Sequence, residues 1–283
     1  MVVHHSSAET LEDMAKFRSS KYVQSDMGDT FLRVKKELDR GREVCFSGTP
    51  CQVVGLKKYL RKPYENLFTV DLVCKGVASP TVHACYVQDM EKRLGSKIVG
   101  MNFKRKTYGY HSSTMSVDFE NGETYSEGGI TDPMMRSFRA NICLRQSCAN
   151  CQFKGEHRVS DLTIFDCWHY DELTGKADND KGHTAVLIHS PKGQSRIHQC
   201  ETKLQIEKID PEKAILLDGI MVRNCVKEHE MRHTFFEVLL KSGLNEAIAA
   251  TIPVSLSDKA KEMSKSLLYK LHLLELVKKL GNR

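Results

Sequence analysis

The chain has 283 residues, of which 40% are hydrophobic and 28% charged, a composition typical of a globular protein rather than a disordered one. No stretch reaches the roughly 18 apolar residues of a membrane-spanning helix, and the N-terminus lacks the features of a signal peptide, so a cytoplasmic location is expected. The net charge of +6 is spread along the chain and indicates a solvated surface rather than a nucleic-acid interface.

The hydrophobic pattern of the first hundred residues predicts alternating helices and strands. Residues 1–40 are charged and predicted helical, with amphipathic patterns at 8–16 and 30–38. Two strand–loop–helix units follow, with elements at residues 43–47, 52–60, 67–73 and 79–93. A third strand is predicted at 97–104. Strands that alternate with helices imply a mostly parallel sheet.

The second part of the chain has a different pattern. Asn121-Gly122 predicts a β-hairpin, and an irregular segment at 141–159 holds three cysteines. Further helices and strands are predicted at 132–140, 161–165, 184–189, 204–209 and from 211 to the end, where the Leu-rich run 267–280 lies in a basic amphipathic helix formed by the last 25 residues. The predicted fold is α/β: a mostly parallel sheet with flanking helices, an inserted hairpin and cysteine-rich segment, and a helical C-terminal tail. The predicted divisions are 1–40, 41–230 and 231–283.

The chain contains ten cysteines, which in a reducing compartment do not form a disulfide framework. Cys148 and Cys151 form a C-x-x-C, a spacing that lets one loop bring two thiolates to one metal centre. Spacing alone leaves an iron–sulfur cluster, half of a zinc site, a redox dithiol and coincidence open. A dithiol is expected at the start of a helix, whereas this pair lies in an irregular segment.

Two further cysteines fall in informative positions. Cys51 and Cys74 each follow a predicted strand, at the sheet edge where ligands of parallel sheets bind and near a helix N-terminus, whose partial positive charge stabilises anions. Three cations near the cysteines in sequence are candidates to balance thiolate charge: Lys75, Arg145 and Arg158. Cys143, five residues before Cys148, is a weaker ligand candidate. The remaining cysteines are expected to be structural, with Cys45 in the core: Cys45, Cys85, Cys167, Cys200 and Cys225.

Five runs of this sequence resemble the coenzyme F420 hydrogenase/dehydrogenase beta-subunit family: residues 20–25, 46–52, 71–80, 144–154 and 158–168. The most specific motifs are G-T-P-C-Q at 48–52 and R-x-S-C-x-x-C-x-F-K at 145–154. The resemblance implies an oxidoreductase with FAD and one [4Fe–4S] cluster, which moves electrons between iron–sulfur centres and a hydride-accepting substrate, F420 in the archaeal enzymes. The alternative is a zinc- or cluster-binding module without flavin, serving as an electron-transfer or structural partner.

Carried over by position, the resemblance implies that the cluster ligands are Cys51, Cys74, Cys148 and Cys151. It implies flavin contacts from Ser47, Gly48, Thr49, Gly76 and Ser79, and phosphate or substrate contacts from Lys21 and from Lys104 or Lys106. No general acid or base is assigned. The sequence departs from the family pattern at Lys75, where His is usual, and at Phe165 and His169, where Gly is usual.

The expected partners are an electron-donor protein, such as ferredoxin or a ferredoxin-like domain, and a small-molecule substrate. Many bacterial relatives carry a ferredoxin-like domain before this region. Because its motifs are not in this sequence, either a separate protein delivers the electrons or the chain is a fragment of a longer one. Neither a nucleic-acid partner nor a transmembrane segment is expected.

Overall fold

The computed structural model describes residues 2–281, which contain two separate β-sheets with helices around them. The strands, in chain order, are β1 (Val44–Gly48), β2 (Leu67–Leu72), β3 (Ile98–Arg105), β4 (Thr114–Phe119), β5 (Thr124–Gly128), β6 (Leu162–Cys167) and β7 (His183–Ile188). The α-helices are α1 (Thr30–Asp39), α2 (Pro50–Leu60), α3 (Pro80–Leu94), α4 (Pro133–Arg139), α5 (Tyr170–Thr174), α6 (Pro191–Cys200), α7 (Pro211–Leu217), α8 (Arg232–Ser242), α9 (Leu244–Thr251), α10 (Leu256–Lys270) and α11 (Leu274–Gly281). Short 3-10 helices lie at Asp13–Phe17, Gln146–Cys148, Glu201–Lys203 and Ile220–Val222.

The first sheet has the strand order β1-β2-β6-β7. Strands β1, β2 and β6 run parallel, and β7 pairs antiparallel with β6 at one edge. The predicted α/β fold with a mostly parallel sheet is therefore confirmed. Because β2 lies between β1 and β6, the carboxyl ends of these three strands meet at one edge of the sheet, and the cysteines of interest follow two of them.

The second sheet is antiparallel and has the order β3-β4-β5. The predicted hairpin is present: Asn121-Gly122 joins β4 to β5, and Gly122 adopts the left-handed φ of +86°. The alternating pattern had assigned the strand at 97–104 to the parallel sheet, and this was wrong. Strand β3 pairs with β4 instead, because β6, almost a hundred residues after β2, takes the place beside β2.

Capping residues explain where the helices at the sheet edge begin. The hydroxyl of Ser79 accepts the N–H of Thr81, Pro80 occupies the first helical position of α3, and Gly95 ends this helix with a φ of +62°. Each was predicted. Helix α2 begins at Pro50, two residues before the predicted start, so Cys51 lies in its first turn.

Several other sequence predictions need correction. The run at 204–209 forms no strand, and Leu204 and Ile206 are largely exposed, so its apolar residues pair with no sheet edge. The pattern at 8–16 yields only the 3-10 helix Asp13–Phe17. The C-terminal helix is interrupted between α10 and α11, where His272 has a left-handed φ of 58°. The part of that prediction that concerns the Leu280 side chain and residues 282–283 lies outside the described residues.

Three clusters of buried side chains form the interior. The largest joins the second sheet to α3, α4, α8 and α9 and includes Met115, Phe235 and Leu244, each at most 1% exposed. A second cluster lies between α1, α2 and β1, and a third covers β6 and β7. Cys148 packs against the largest cluster, so the cysteine-rich segment is anchored to the core.

Candidate metal centre

Cys51 lies in the first turn of α2, just after the carboxyl end of β1. The helix begins there because the Thr49 N–H donates to Oε1 of Gln52 at 2.9 Å in a capping box, with Pro50 in the first helical position. The Cys51 thiol is exposed and lies 3.1 Å from the Thr49 hydroxyl. The partial positive charge of this helix end favours a negatively charged group here.

Cys74 follows β2 on the neighbouring strand. The N–H of Val73 donates to the carbonyl of Ile164 at 3.0 Å, so the chain is still joined to β6 just before it reaches Cys74. Because β1 and β2 are parallel neighbours, Cys51 and Cys74 leave the sheet at the same edge. Their positions agree with the expectation from the strand–loop–helix pattern.

The thiols of the four predicted ligands influence one another. Burial raises the pKa of the Cys74 thiol to about 11; the ammonium of Lys154 opposes this rise, and the nearby thiols of Cys148 and Cys51 add to it. Burial also raises the pKa of Cys148, and Cys151 and Cys51 contribute in the same direction. The structure thus brings cysteines from three separate segments into one electrostatic neighbourhood.

Backbone pairing holds the C-x-x-C segment beside the loop after β2. The N–H of Arg145 donates to the carbonyl of Val77 at 2.9 Å, and Ala78 forms an antiparallel bridge with Leu144. Ala78 also forms a parallel bridge with Val23. Two stretches that are far from it in sequence are therefore fastened to one fully buried alanine.

Gly76 permits the close approach of these two loops. Its φ of +150° lies outside the region favoured by L-residues. A Cβ at this position would lie 3.1 Å from Cδ1 of Leu144 and 3.2 Å from Cβ of Cys148. A glycine is required here because the backbone of the Cys74 loop lies against the Cys148 side chain.

The types of side chain at this sheet edge indicate which kind of metal centre could bind here. Among residues 2–281, no group of three or more His, Cys, Asp or Glu side chains is arranged to hold a metal ion. The four predicted cysteines therefore share a sheet edge but do not form a preformed site for a single metal ion. An all-thiolate set of four is the set that holds [4Fe–4S] clusters, and it also occurs in structural zinc sites.

Lys154 is the cation that faces the cysteines. Its Nζ donates to the backbone carbonyls of Cys74 at 2.5 Å and Met221 at 2.7 Å. Burial lowers the pKa of Lys154, and the thiols of Cys74, Cys151 and Cys225 act against this. A half-buried positive charge in this position compensates negative charge on thiolates.

Of the other cations that were expected near the cysteines, one lies elsewhere and one lies nearby. Lys75 turns away from Cys74: its Nζ donates to the carbonyl of Arg139 at 3.0 Å and lies 5.3 Å from the ring centroid of Phe138. Arg145 is exposed, but its positive charge acts on the Cys148 thiol and opposes the rise of its pKa. Adjacency in sequence was misleading for Lys75, because successive residues of an extended chain point in opposite directions.

The third expected cation, Arg158, is buried. Its side chain is 4% exposed, and Nη1 donates to the carbonyl of Phe153 at 2.8 Å and lies 3.8 Å from Oδ2 of Asp71. Nε and Nη2 of Arg158 have no hydrogen-bond partner among the residues that the structure describes. Burial raises the pKa of Asp71, which Arg158 partly opposes. The guanidinium therefore adds a buried positive charge near Lys154.

The predicted flavin contacts of the first loop lie next to the cysteines. Ser47, Gly48 and Thr49 end β1 beside Cys51. Gly48 is buried, and a Cβ there would lie 3.0 Å from Oε1 of Gln52. This turn thus combines a close backbone approach with the N-terminus of α2, a combination suited to an anionic group.

The other predicted flavin contacts have partners within the fold. The hydroxyl oxygen of Ser79 caps α3, and its N–H donates to the carbonyl of Cys143 at 2.9 Å. Nζ of Lys21 donates to the carbonyls of Arg18 and Ser19. Flavin binding by Ser79 and Lys21 stays a prediction.

An ion pair joins the two sheets at the same edge. Nζ of Lys104, at the end of β3, lies 2.6 Å from Oδ2 of Asp166 on β6; the Lys104 side chain is 8% exposed and that of Asp166 is 41% exposed. The Lys104 ammonium lies 4.0 Å from the ring centroid of Trp168 and 4.5 Å from that of Tyr110. These two rings stack on each other, with their centroids 4.3 Å apart. The D-x-W run at 166–168 was the available sequence signal for this arrangement.

Two of the remaining cysteines differ from expectation. Cys45 is exposed rather than in the core, because β1 is an edge strand whose inward residues are Phe46 and Gly48. Cys225 was expected to have no ligand-like neighbours, yet its thiol contacts the carbonyl of Cys151, with Sγ 3.6 Å from the oxygen. By contrast, Cys143 is fully buried in the largest core cluster.

Residues 41–214 match the sequence family that is described as the C terminus of the beta subunit of coenzyme F420 hydrogenase/dehydrogenase. This match covers more than half of the chain. The chain belongs to this family. Membership in the F420 hydrogenase/dehydrogenase beta-subunit family indicates a redox function and an oxidoreductase class.

The family match begins shortly before β1 and ends within α7. It therefore includes all four predicted ligand cysteines and excludes Lys21 and Cys225. No curated protein matches the chain. In the part of the chain from 2 to 281, no helix combines the length and the apolar character needed to cross a bilayer.

Proposed function

We propose that this chain is an iron–sulfur flavoprotein oxidoreductase in which Cys51, Cys74, Cys148 and Cys151 hold one [4Fe–4S] cluster next to FAD. The observation that carries the proposal is the convergence of these cysteines, from the ends of β1 and β2 and from the C-x-x-C segment, at one sheet edge. The family membership supports the same redox class.

The electrostatics of the edge fit a negatively charged centre. Four thiolates exceed the charge of the cluster core and leave a net negative charge that needs cations or N–H donors nearby. The half-buried Lys154 and the buried Arg158 supply positive charge, and the N-terminus of α2 adds partial positive charge next to Cys51. Burial raises the pKa values of Cys74 and Cys148, so deprotonation of these thiols must be coupled to metal binding.

FAD would lie at the same sheet edge. When bound, FAD supplies the exchange between single electrons and a hydride. The turn of Ser47, Gly48 and Thr49 places its phosphates at the positively polarised N-terminus of α2, and the Trp168 and Tyr110 rings offer an aromatic surface with the Lys104 ammonium beside it. The role of these residues is to bind and orient the cofactor and to limit water around it.

The substrate is a small hydride acceptor, and electrons come from a ferredoxin or a ferredoxin-like domain. His169, where the family usually has Gly, accounts for a difference in substrate choice from the F420 enzymes. Its Nδ1 lies 2.7 Å from Oδ1 of Asp218, and this hydrogen bond raises the pKa of His169. The imidazole lies one residue after Trp168 and is held in place by this hydrogen bond, so it is positioned to contact the acceptor.

Anaerobic purification followed by iron, acid-labile sulfide and flavin analysis tests the proposal. The expected result is a brown protein with four iron atoms, four sulfides and one FAD per chain. Zinc without sulfide would instead identify the zinc-binding module, and a cluster without flavin would identify an electron-transfer partner; either result contradicts the proposal.

Substitution tests the ligand assignment separately. Cys148→Ala should remove iron and sulfide, whereas Cys200→Ala should leave both unchanged, because Cys200 is exposed at the end of α6, outside the cysteine edge. Equal iron content in the two variants would reject the assignment. FAD binding is tested by titration of the apoprotein, since Trp168 is the single tryptophan and its fluorescence should be quenched by a flavin at this edge.

A further inference from the structure

A fifth thiol lies beside the proposed cluster site. Cys225 follows the 3-10 helix Ile220–Val222 and lies outside the residues that match the family. Its position is fixed on both sides, because Val222 is fully buried and Val226 is 6% exposed. The Cys225 side chain itself is only half-buried, and its Sγ lies 3.6 Å from the backbone oxygen of Cys151.

Hydrogen bonds join the segment before Cys225 to the segment after Cys151. Nζ of Lys154 donates to the carbonyl of Met221 at 2.7 Å, and the N–H of Gly155 donates to the carbonyl of Val222 at 2.8 Å. The two segments therefore keep their relative position independently of any metal. Cys225 and Cys151 lie side by side, and Lys154 is close to both thiols.

We propose that Cys225 is a reserve ligand that replaces Cys151 on the cluster when the Cys151 thiol is missing. This inference rests on the proposed function. Cys225 Sγ contacts the main chain of Cys151, so its side chain starts next to the position of the missing thiolate. The Cys225 thiol would give its proton to solvent, and its thiolate would take the coordination position that Cys151 leaves vacant, with no electron transferred.

The other cysteines lack this relationship to the ligands. Cys143 is fully buried among core residues, where the hydroxyl of Ser137 bonds its thiol. Cys45 and Cys200 are exposed on β1 and α6. The loop around Cys148 has no corresponding spare thiol in the part of the chain that the structure describes. Cys151 is therefore the replaceable ligand, and Cys148 is the matched comparison.

The proposal is tested with four variants. In each, iron and sulfide content are measured, and an electron paramagnetic resonance spectrum of the reduced protein is recorded. The expected result is that Cys151→Ala keeps most of the wild-type iron and sulfide with an altered spectrum, whereas Cys148→Ala loses them. Cys225→Ala should match the wild type in content and spectrum. Cys151→Ala combined with Cys225→Ala should lose the cluster. Far-ultraviolet circular dichroism establishes that each variant folds, and Cys151→Ser replaces Cys151→Ala if the latter does not.

Two outcomes would overturn the inference. Loss of the cluster from Cys151→Ala to the same extent as from Cys148→Ala would show that Cys225 cannot take over. Loss from Cys225→Ala alone would show that Cys225 is a primary ligand. Both outcomes leave the proposed function intact as long as the wild-type chain binds iron and sulfide; absence of both from the wild type would contradict the proposed function itself.

Discussion

Nζ of Lys154 donates a hydrogen bond to the backbone carbonyl of Cys74 at 2.5 Å, although 80 residues separate the two in the sequence. Lys75 is the sequence neighbour of Cys74, yet its ammonium points to the carbonyl of Arg139. The charge that acts on the cysteines therefore comes from the C-x-x-C segment. This pair of lysines provides a direct test of the electrostatics of the site.

Lys154→Met is expected to make reduction of the cluster harder, because reduction adds a negative charge and the variant lacks the cation that stabilises it. We expect the midpoint potential to fall by roughly 60 mV, which for one electron corresponds to about 1.4 kcal/mol. Redox titration followed by electron paramagnetic resonance measures the shift. Lys75→Met is the control and should shift the potential much less. Equal shifts would show that Lys154 has no special role.

Gly76→Ala is expected to disturb the cysteine edge. The new Cβ would lie 3.2 Å from Cβ of Cys148, in addition to the strain of a φ of +150°. Such strain costs about 1–3 kcal/mol, and displacement of Cys148 should lower the iron content. Gly41→Ala carries backbone strain alone, since its φ is +80° and no atom lies within 4 Å of the added Cβ. Iron analysis and urea unfolding of both variants should show iron loss only for Gly76→Ala.

Asp166→Asn is expected to destabilise the protein because it leaves the Lys104 ammonium, 8% exposed, without its carboxylate partner. Because Asp166 is 41% exposed, solvent screens this pair, and the loss should be about 1 kcal/mol. Lys104→Met added to Asp166→Asn should recover part of the loss, since a methionine needs no counter-charge. Urea unfolding followed by Trp168 fluorescence measures each free energy. A double variant less stable than Asp166→Asn would contradict this account.

Asp132 predicts a pH dependence of stability. It is fully buried and accepts hydrogen bonds from the hydroxyls of Tyr86 at 2.8 Å and Tyr125 at 3.1 Å. Burial raises its pKa from 3.8 to about 6. Since the folded state then holds this proton more tightly than the unfolded state, the stability that Asp132 contributes is full below its unfolded pKa and is lost as the pH rises through about 6.

Asp132→Asn removes this titration. The free energy of unfolding of the wild type minus that of the variant should therefore decrease by up to about 3 kcal/mol between about pH 4 and about pH 7. Urea unfolding at several pH values measures the difference. A difference that stays constant or increases with pH would contradict the assignment.

Local patterns predicted the positions of two ligands. Cys51 and Cys74 each belong to a strand–loop–helix unit, and the caps of these helices, Thr49 and Ser79, lie within a few residues of the cysteines. Such units are encoded by adjacent residues, so a single sequence suffices to find them. The hairpin at Asn121-Gly122 was found for the same reason.

Contacts between distant segments could not be predicted in this way. The neighbours of Lys154 and Cys225 depend on how the segment near 221 packs on the C-x-x-C segment. Strand β3 does not join the parallel sheet because β6 occupies the position beside β2, and local sequence does not reveal this pairing. The apolar run at 204–209 has strand composition but no available sheet edge, and composition alone does not reveal this.

The fastening of Ala78 to both Val23 and Leu144 has a consequence for the maturation of the protein. Main-chain bonds, rather than thiols, hold the loop after Cys74 against the C-x-x-C segment, and the pairing of β1 with β2 brings Cys51 to the same sheet edge. Zinc fingers, in contrast, are unfolded until the metal binds. If the proposed cluster is bound, this chain is suited to fold before binding it, so a chain without the cluster should be colourless but still folded.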